Sequence, residues 1–567
     1  MIYNEKPWLK SYDPGVKEEI SINENSIVDR FNKINKDFLN SPAAHFLGNT
    51  YNFEELMELA DSFARCLADH NLTTGDVVAI NLPNTIQYLI AIVGTIKAGC
   101  IVSGLSPLLS NDEIIFQLND CKAKAIVTLD AIFEKKIFQI SDKLQYLKFV
   151  ITTNIVDFLP WYKRAIAKLL RKVPTGKVKS LSNKKVMTLK DLLISYPSSA
   201  PDIKIDQNTP AFLQYTGGTT GFPKGAVLTH GNVLANCFQL EEWVKMRWGE
   251  ELILSGYPMF HAAGLTVALM GICFGCAQIL IPDPRNVKYI INEYKTYKPT
   301  FIANVPTLYL MLLKETKFQK LDFSSLRVCV SAAAPFPVEG IKKFEEVIGK
   351  GKLIELYGMT ETGPIQTMNP YMGLKKIGSV GLPFPSTNIK IVDLIDSKKE
   401  LPIGDEGEIL VSGPQVMKGY HNKEEETNKV LTYEDGQKWM HTGDIGKMDE
   451  DGYVYLVDRA KDMIIVGGFK VFSREVEDIL YKHPAIEVCA IIGEPDINRP
   501  ETETVKLYIQ KSESCKDRID SELKDDITAF AREKLSSYKV PKIIEFIDKI
   551  PLTSVGKVDK KALRLKK

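Results

Sequence analysis

Short, wholly apolar runs alternate with segments of helical period through the first 300 residues, and this limits the fold more than any other feature. Leu56, Leu59, Ala60, Phe63, Ala64 and Leu67 recur at helical spacing, preceded by Asn52 and Glu55 as a capping pair. An apolar strand is predicted at 77–82, a helix at 85–98 and a strand at 101–103, and the pattern repeats at 111–119 and 125–128. Strands apolar on both faces need helices on both sides, so the pattern predicts α/β layers with much parallel sheet. The pattern changes near Gly452. Tyr453, Tyr455 and Val457 alternate as a strand, and the densely charged run 458–462 (DRAKD) follows. The remaining residues predict a compact unit with strands at 488–492 and 505–509 and a helix at 519–535. A chain of 567 residues exceeds one small domain. The expected fold is therefore α/β, with a large multi-sheet N-terminal domain (1–458) and a smaller α+β C-terminal domain (459–567).

Composition removes several classes of function. The net charge of +1 provides no global field for nucleic acid. Only Cys273 and Cys276 form a CxxC pair, and they sit in an apolar run, which favours buried thiols over metal or redox chemistry. Residues 262–281 carry no charge, but Gly264, Gly271, Gly275 and Gln278 interrupt them and the run 282–284 (PDP) ends them. A buried helix to about residue 275, then a core strand at 278–281, fits better than a membrane span. The first residues, MIYNEKPWLKSYDPG, lack an apolar signal region, so a cytoplasmic location is expected.

The most specific chemistry lies in 215–225, YTGGTTGFPKG, after an apolar strand at 211–214. Its glycines let backbone N–H groups approach oxyanions, its threonines add hydroxyls and Lys224 adds charge, which together make a phosphate cradle. Pro223 stands where the GxxxxGK[ST] pattern needs its second glycine, so this is not a P-loop of that type.

Six further segments follow in order: 258–264 (PMFHAAG), 331–335 (SAAAP), 355–361 (ELYGMTE), 439–444 (WMHTGD), 458–468 (DRAKDMIIVGG) and 551–557 (PLTSVGK). With the 215–225 loop they resemble the motifs of the adenylate-forming superfamily, which includes acyl-CoA synthetases, luciferases and peptide-synthetase adenylation domains. The resemblance spans about residues 30–565. It implies ATP, Mg2+ and coenzyme A as small-molecule partners, and an acid joined first to AMP and then to the thiol.

The roles that the resemblance implies are these. Thr216, Gly217, Gly218, Thr219, Thr220, Gly221 and Lys224 hold the β- and γ-phosphates. Thr216 and Glu361 hold Mg2+, a hard cation that takes oxygen ligands. Ala333, Glu355, Tyr357 and Gly358 line the nucleotide, with Tyr357 offering a flat face to adenine, and Thr360 offers a hydroxyl to the α-phosphate. Asp444 accepts the ribose hydroxyls. Arg459 either reaches the nucleotide or forms an exposed pair with Asp458 or Asp462. Lys557 is the expected catalytic lysine, carried by a small domain that is mobile about Lys461. His261, Ala332 and Gly468 lie on the acid and thiol side; a core histidine is the competing reading of His261.

The sequence also departs from the family pattern. Ala332 replaces a common glycine, Ala263 replaces an aromatic residue, and Ser473 stands where a proline is common, altering loop stiffness and removing no functional group. The nearest resemblance is to bacterial-type long-chain fatty acid–CoA ligases, through 214–221, Leu228, Thr229, His230, Asn232, 413–420 (GPQVMKGY) and the opening 6–9 (KPWL). Alternatives are a CoA ligase for an aryl, short- or medium-chain acid, or a silent nucleotide-binding homologue. Independently, Trp161, Ala165, Leu169 and Val173 line one helical stripe, while Lys163, Arg164, Lys168, Arg171 and Lys172 face elsewhere. This 161–173 stretch suits either peripheral contact with a membrane surface or a helix packed on the core.

Overall fold

A computed structural model describes residues 2–164, 173–216, 223–466, 469–496, 499–553 and 557–566. The alternating pattern becomes two large sheets. One has eight strands in the order Gly419–Tyr420, Lys224–Thr229, Pro210–Thr216, Ile101–Gly104, Val77–Asn81, Ala125–Leu129, Phe149–Thr153 and Lys185–Thr188. The other has nine, and its central run Ala277–Leu280, Leu252–Ser255, Phe301–Asn304, Val328–Ser331 and Leu353–Tyr357 is parallel. The local signals read from the sequence are realised. Asn52 and Glu55 form a reciprocal capping box at the start of the helix Phe53–Asp69. The helix Ile86–Lys97 is buried along its whole length, which explains its nearly unbroken apolar sequence. The uncharged stretch divides into the helix Ala262–Cys273 and the strand Ala277–Leu280, with Cys273 and Cys276 both buried. Among the described residues no helix is long and apolar enough to cross a membrane.

One hydrophobic core spans both large sheets and includes Phe63, Ile90, Val102, Phe212, Leu269 and Met368. Crevices beyond the carboxyl ends of parallel strands are where α/β folds bind ligands. An antiparallel sheet of Asn388–Val392, Gly407–Ser412, Gln437–Met448, Leu431–Glu434 and Val454–Arg459 completes the larger part.

The smaller C-terminal part is α+β. The strands Ile486–Asp496, Arg499–Lys511 and Ile543–Phe546 form one sheet, and the helices Ser473–Leu480 and Asp520–Lys534 cover it. Val476, Leu480, Ile491, Leu507 and Ile527 make a core separate from the large one. A second small cluster, with Ile492, Tyr508, Ile550 and Leu563, fastens the last helix, Lys560–Leu565, to the sheet.

Candidate active site

Strand ends assemble the site. The strand Pro210–Thr216 pairs antiparallel with Lys224–Thr229, so Thr216 and Lys224 are ladder partners at the mouth of the glycine-rich loop. Thr216 Oγ1 donates to the Lys224 carbonyl at 3.4 Å. Tyr215, just before the loop, donates to Asp120 Oδ2 at 2.5 Å and tethers the strand. Gly217, Gly218, Thr219, Thr220 and Gly221 lie outside the described residues, as does Gly468.

The strand Leu353–Tyr357 delivers the next group. A Cβ on Gly358 would lie 1.7 Å from the Pro364 carbonyl oxygen, so the turn after the strand admits only glycine. Thr360 and Glu361 sit in the 3-10 turn Thr360–Thr362. Glu361 is buried, and burial raises its carboxyl above the usual range against the opposing hydrogen bond from Tyr420. Tyr420 donates to Glu361 Oε1 at 2.7 Å. A buried carboxylate and the Thr216 hydroxyl are oxygen donors of the kind a hard divalent cation takes. Lys224 joins this group from the other side. Its ammonium lies 5.2 Å from the Tyr420 ring centroid and pairs with Glu426.

Asp444 is the meeting point. Strand register places it directly opposite Arg459, and the Arg459 Nε lies 3.1 Å from Asp444 Oδ1. Tyr357 donates to Asp444 Oδ2 at 2.6 Å. Each carboxylate oxygen keeps a further lone pair for a ligand hydroxyl. Arg459 thus pairs with Asp444, while the Asp458 carboxylate turns the other way.

Lys557 reaches this cluster from the C-terminal part. Its hairpin is closed by Thr553 N donating to the Lys557 carbonyl at 2.7 Å and by Lys557 N donating to Thr553 Oγ1 at 3.2 Å. Burial, then repulsion from Arg459, lowers the Lys557 ammonium to about 8; Lys461 adds to the lowering, and Asp444 and Glu361 oppose it. His261 caps the helix Ala262–Cys273, accepting from Ala263 N at 3.5 Å. Burial, then the charge of Lys557, lowers its imidazole to about 4, so it is neutral at physiological pH and within electrostatic reach of the lysine.

The loop 331–335 carries an adjustment that the sequence did not show. Ala333, not Ala332, adopts the left-handed conformation, with φ of 70°. The glycine-favouring backbone therefore falls one residue later than the substitution at Ala332 suggested, at a cost of about 1–2 kcal/mol for a residue bearing a Cβ. Ser331 Oγ, at the head of this loop, is buried and has no hydrogen-bond partner among the described residues, an orphaned polar atom suited to a polar ligand. Tyr420 and Glu426, beside Glu361 and Lys224, were not among the residues expected here. Tyr420 stood in the 413–420 segment, but nothing in the sequence joined it to Glu361.

A model of the AMP-binding enzyme family matches residues 31–421, and one of the AMP-binding enzyme C-terminal domain matches 475–557. The chain is 38% identical to a long-chain-fatty-acid–CoA ligase of Bacillus subtilis, covering 99% of this chain and 98% of the relative. It is 36% identical to one of Escherichia coli O6:H1, with the same coverage. The fold is similar to that of an anthranilate CoA ligase in complex with anthranoyl-AMP, with TM-score 0.82, 25% identity and 96% and 98% of the two chains covered. It is also similar to ATP-bound MatB from Rhodopseudomonas palustris, with TM-score 0.78, 26% identity and 96% and 99% covered.

Glu355 supplies a test of this geometry. Burial raises its carboxyl to about 7, against the opposing charge of Arg474 from the C-terminal part. A carboxyl raised in the folded state gives stability that is complete below its unfolded value and is lost as pH rises through the folded one. Glu355→Gln should therefore melt with wild type near pH 4.5 and several degrees above it at pH 8, as thermal melts across that range would show. A constant difference at all pH values would mean that Glu355 is not desolvated.

Proposed function

The chain belongs to the AMP-binding enzyme family and is an AMP-forming acid–CoA ligase, and from that premise we propose that its acid is a long-chain fatty acid. The overall reaction joins ATP, fatty acid and CoA to give acyl-CoA, AMP and pyrophosphate through an acyl-adenylate. The observation that carries the choice of acid is similarity along the full chain to ligases named for long-chain fatty acids. The fold's likeness to an anthranilate CoA ligase favours an aryl acid as the second reading. AMP formation measured with palmitate, butyrate and benzoate separates them: palmitate should be turned over best, and a preference for benzoate would overturn the proposal.

In the first half-reaction the acid's carboxylate attacks the α-phosphorus and pyrophosphate leaves. Both reactants are anions, so the residues must offset charge. We assign Lys557 to bridge the carboxylate and the α-phosphate, where its ammonium stabilises the negative charge that develops. Thr216, Lys224 and the 217–221 loop hold the β- and γ-phosphates, and Thr360 donates to the α-phosphate. Thr216 and Glu361 would hold Mg2+ through oxygen donors, and the ion would supply positive charge against the phosphates. Asp444 and Arg459 orient the ribose, while Ala333, Glu355, Tyr357 and Gly358 line the adenine. His261, Ala332 and Gly468 face the acid and the incoming thiol. The C-terminal domain, taken as 459–567, turns about Lys461 between the half-reactions and withdraws Lys557 for thiolysis.

Contact with a membrane surface extends the proposal, with the protein placed in the cytoplasm. Trp161 and Tyr162 are 75% and 49% exposed, which supports an interfacial helix end. Lys163 does not contribute charge outward, because its ammonium donates to the carbonyls of Leu47 and Gly48 at 3.2 and 2.9 Å. Val173, at the other end, packs on the large core. Residues 165–172, with Lys168, Arg171 and Lys172, lie outside the described set.

Lys557→Ala should lose adenylation, read by pyrophosphate exchange, roughly 10²–10³-fold, while thiolysis of supplied acyl-adenylate changes little. Equal losses in both would contradict the assigned role. Asp444→Ala should raise the KM for ATP more than it lowers kcat; an unchanged KM with lower melting temperature would make Asp444 a structural residue. Replacing Arg164, Lys168, Arg171 and Lys172 with Gln should abolish salt-sensitive cosedimentation with anionic liposomes, since each such charge contributes ~1 kcal/mol. Wild-type protein that stays in the supernatant at low salt would remove the membrane reading.

A further inference from the structure

Three segments far apart in sequence meet at Ser473. Asp458 is the penultimate residue of the strand Val454–Arg459, Ser473 opens the helix Ser473–Leu480, and Lys560 opens the last helix, Lys560–Leu565. Ser473 is completely buried. Its backbone N–H donates to Asp458 Oδ2, and its Oγ donates to Asp458 Oδ1 at 3.2 Å. Lys560 Nζ donates to Ser473 Oγ at 2.6 Å and pairs with Glu477 Oε1 at 2.8 Å. The serine hydroxyl therefore relays between an ammonium and a carboxylate.

The position gives this arrangement its leverage. Phe472 precedes the helix and offers no side-chain cap, so the Asp458 carboxylate takes the cap's place from another segment. Asp458 adjoins Arg459, whose guanidinium is bound to Asp444. Lys560 follows Lys557 across a hairpin closed at Thr553 and Lys557 and held by Asp559 N donating to the Pro551 carbonyl at 2.8 Å. Asp559 also caps the last helix through Ala562 N at 2.9 Å. A second tie runs from Arg564 to Asp462 Oδ1 at 2.7 Å. These bonds connect Lys560 to the backbone that carries Lys557.

We propose that Ser473 is a positioning residue for adenylation, tying the Lys557 hairpin through Lys560 to Asp458 and so to the site at Asp444. The proposal rests on the reading that Lys557 acts in adenylation. A serine at the first helical position adds what a proline there cannot: the N–H and the hydroxyl. Proline suits that position sterically, so Ser473→Pro removes both groups while leaving the helix start in place. Replacing Lys560 or Asp458 would instead strand buried charges and endanger the fold.

The experiment compares full-length wild type, Ser473→Pro, Ser473→Ala and Lys557→Ala in pyrophosphate exchange, in thiolysis of supplied acyl-adenylate and in thermal melts. Loss of two hydrogen bonds to a carboxylate should lower the kcat of exchange roughly tenfold in Ser473→Pro, with KM for ATP nearly unchanged and thiolysis retained or faster. Ser473→Ala keeps its N–H, so it should lose exchange by a smaller factor in the same direction, and it decides the matter if the proline variant does not fold. Exchange at the wild-type level in the serine variants, with Lys557→Ala inactive, overturns the tie alone. Parallel loss of both half-reactions with melting temperature makes Ser473 merely structural and overturns it too. Retained exchange in Lys557→Ala removes the lysine reading and the tie with it.

Discussion

The carboxylate of Asp444 is the point on which the site depends. One oxygen accepts from Tyr357, at the end of a parallel strand of the large sheet. The other faces Arg459, the last residue of the strand Val454–Arg459. A single acidic residue therefore fixes the spacing between a rigid sheet edge and the segment that leads to Lys557. The Tyr357 hydroxyl is held far above its usual titration range, first by burial and then by Asp444, so it remains a donor at every physiological pH.

Around this carboxylate the charges are arranged for a ligand. Lys557 sits in low-dielectric surroundings beside Arg459 and Lys461, with Asp444 and Glu361 only partly compensating. Such an ammonium is held less favourably than in water, and a nearby anion would stabilise it. Lys224 is paired with Glu426 instead, and Glu361 is steadied by Tyr420. Desolvation weakens the protonation of Lys557 and of His261, whereas it strengthens that of Glu355 and Glu361. Burial by itself thus moves the site toward neutrality.

Local features of the fold were legible in the sequence because local rules govern them. The Asn52–Glu55 capping box, the buried helix Ile86–Lys97 and the break from helix to strand after Cys273 all follow from periodicity and cap chemistry. The glycine-rich loop and the order of the motifs pointed to nucleotide chemistry. Partnerships across long separations were not legible: Tyr420 with Glu361, Lys224 with Glu426, and Asp458 with Ser473 depend on how sheets and helices pack. Ser473 shows the limit well. Read along the chain it altered only stiffness, yet in three dimensions its two polar groups join strand to helix to helix. Lys557 was similarly one lysine in a lysine-rich tail, distinguished only by its motif.

The central claim is that Lys557 occupies a desolvated, cationic setting that anionic reactants relieve. Titration of its side chain by NMR, with the signal assigned through Lys557→Arg, tests this directly. The free protein should give a value about 8, well below the ordinary 10.5, and a non-hydrolysable acyl-adenylate analogue should raise it. An ordinary value in the free protein, unmoved by the analogue, would contradict the account.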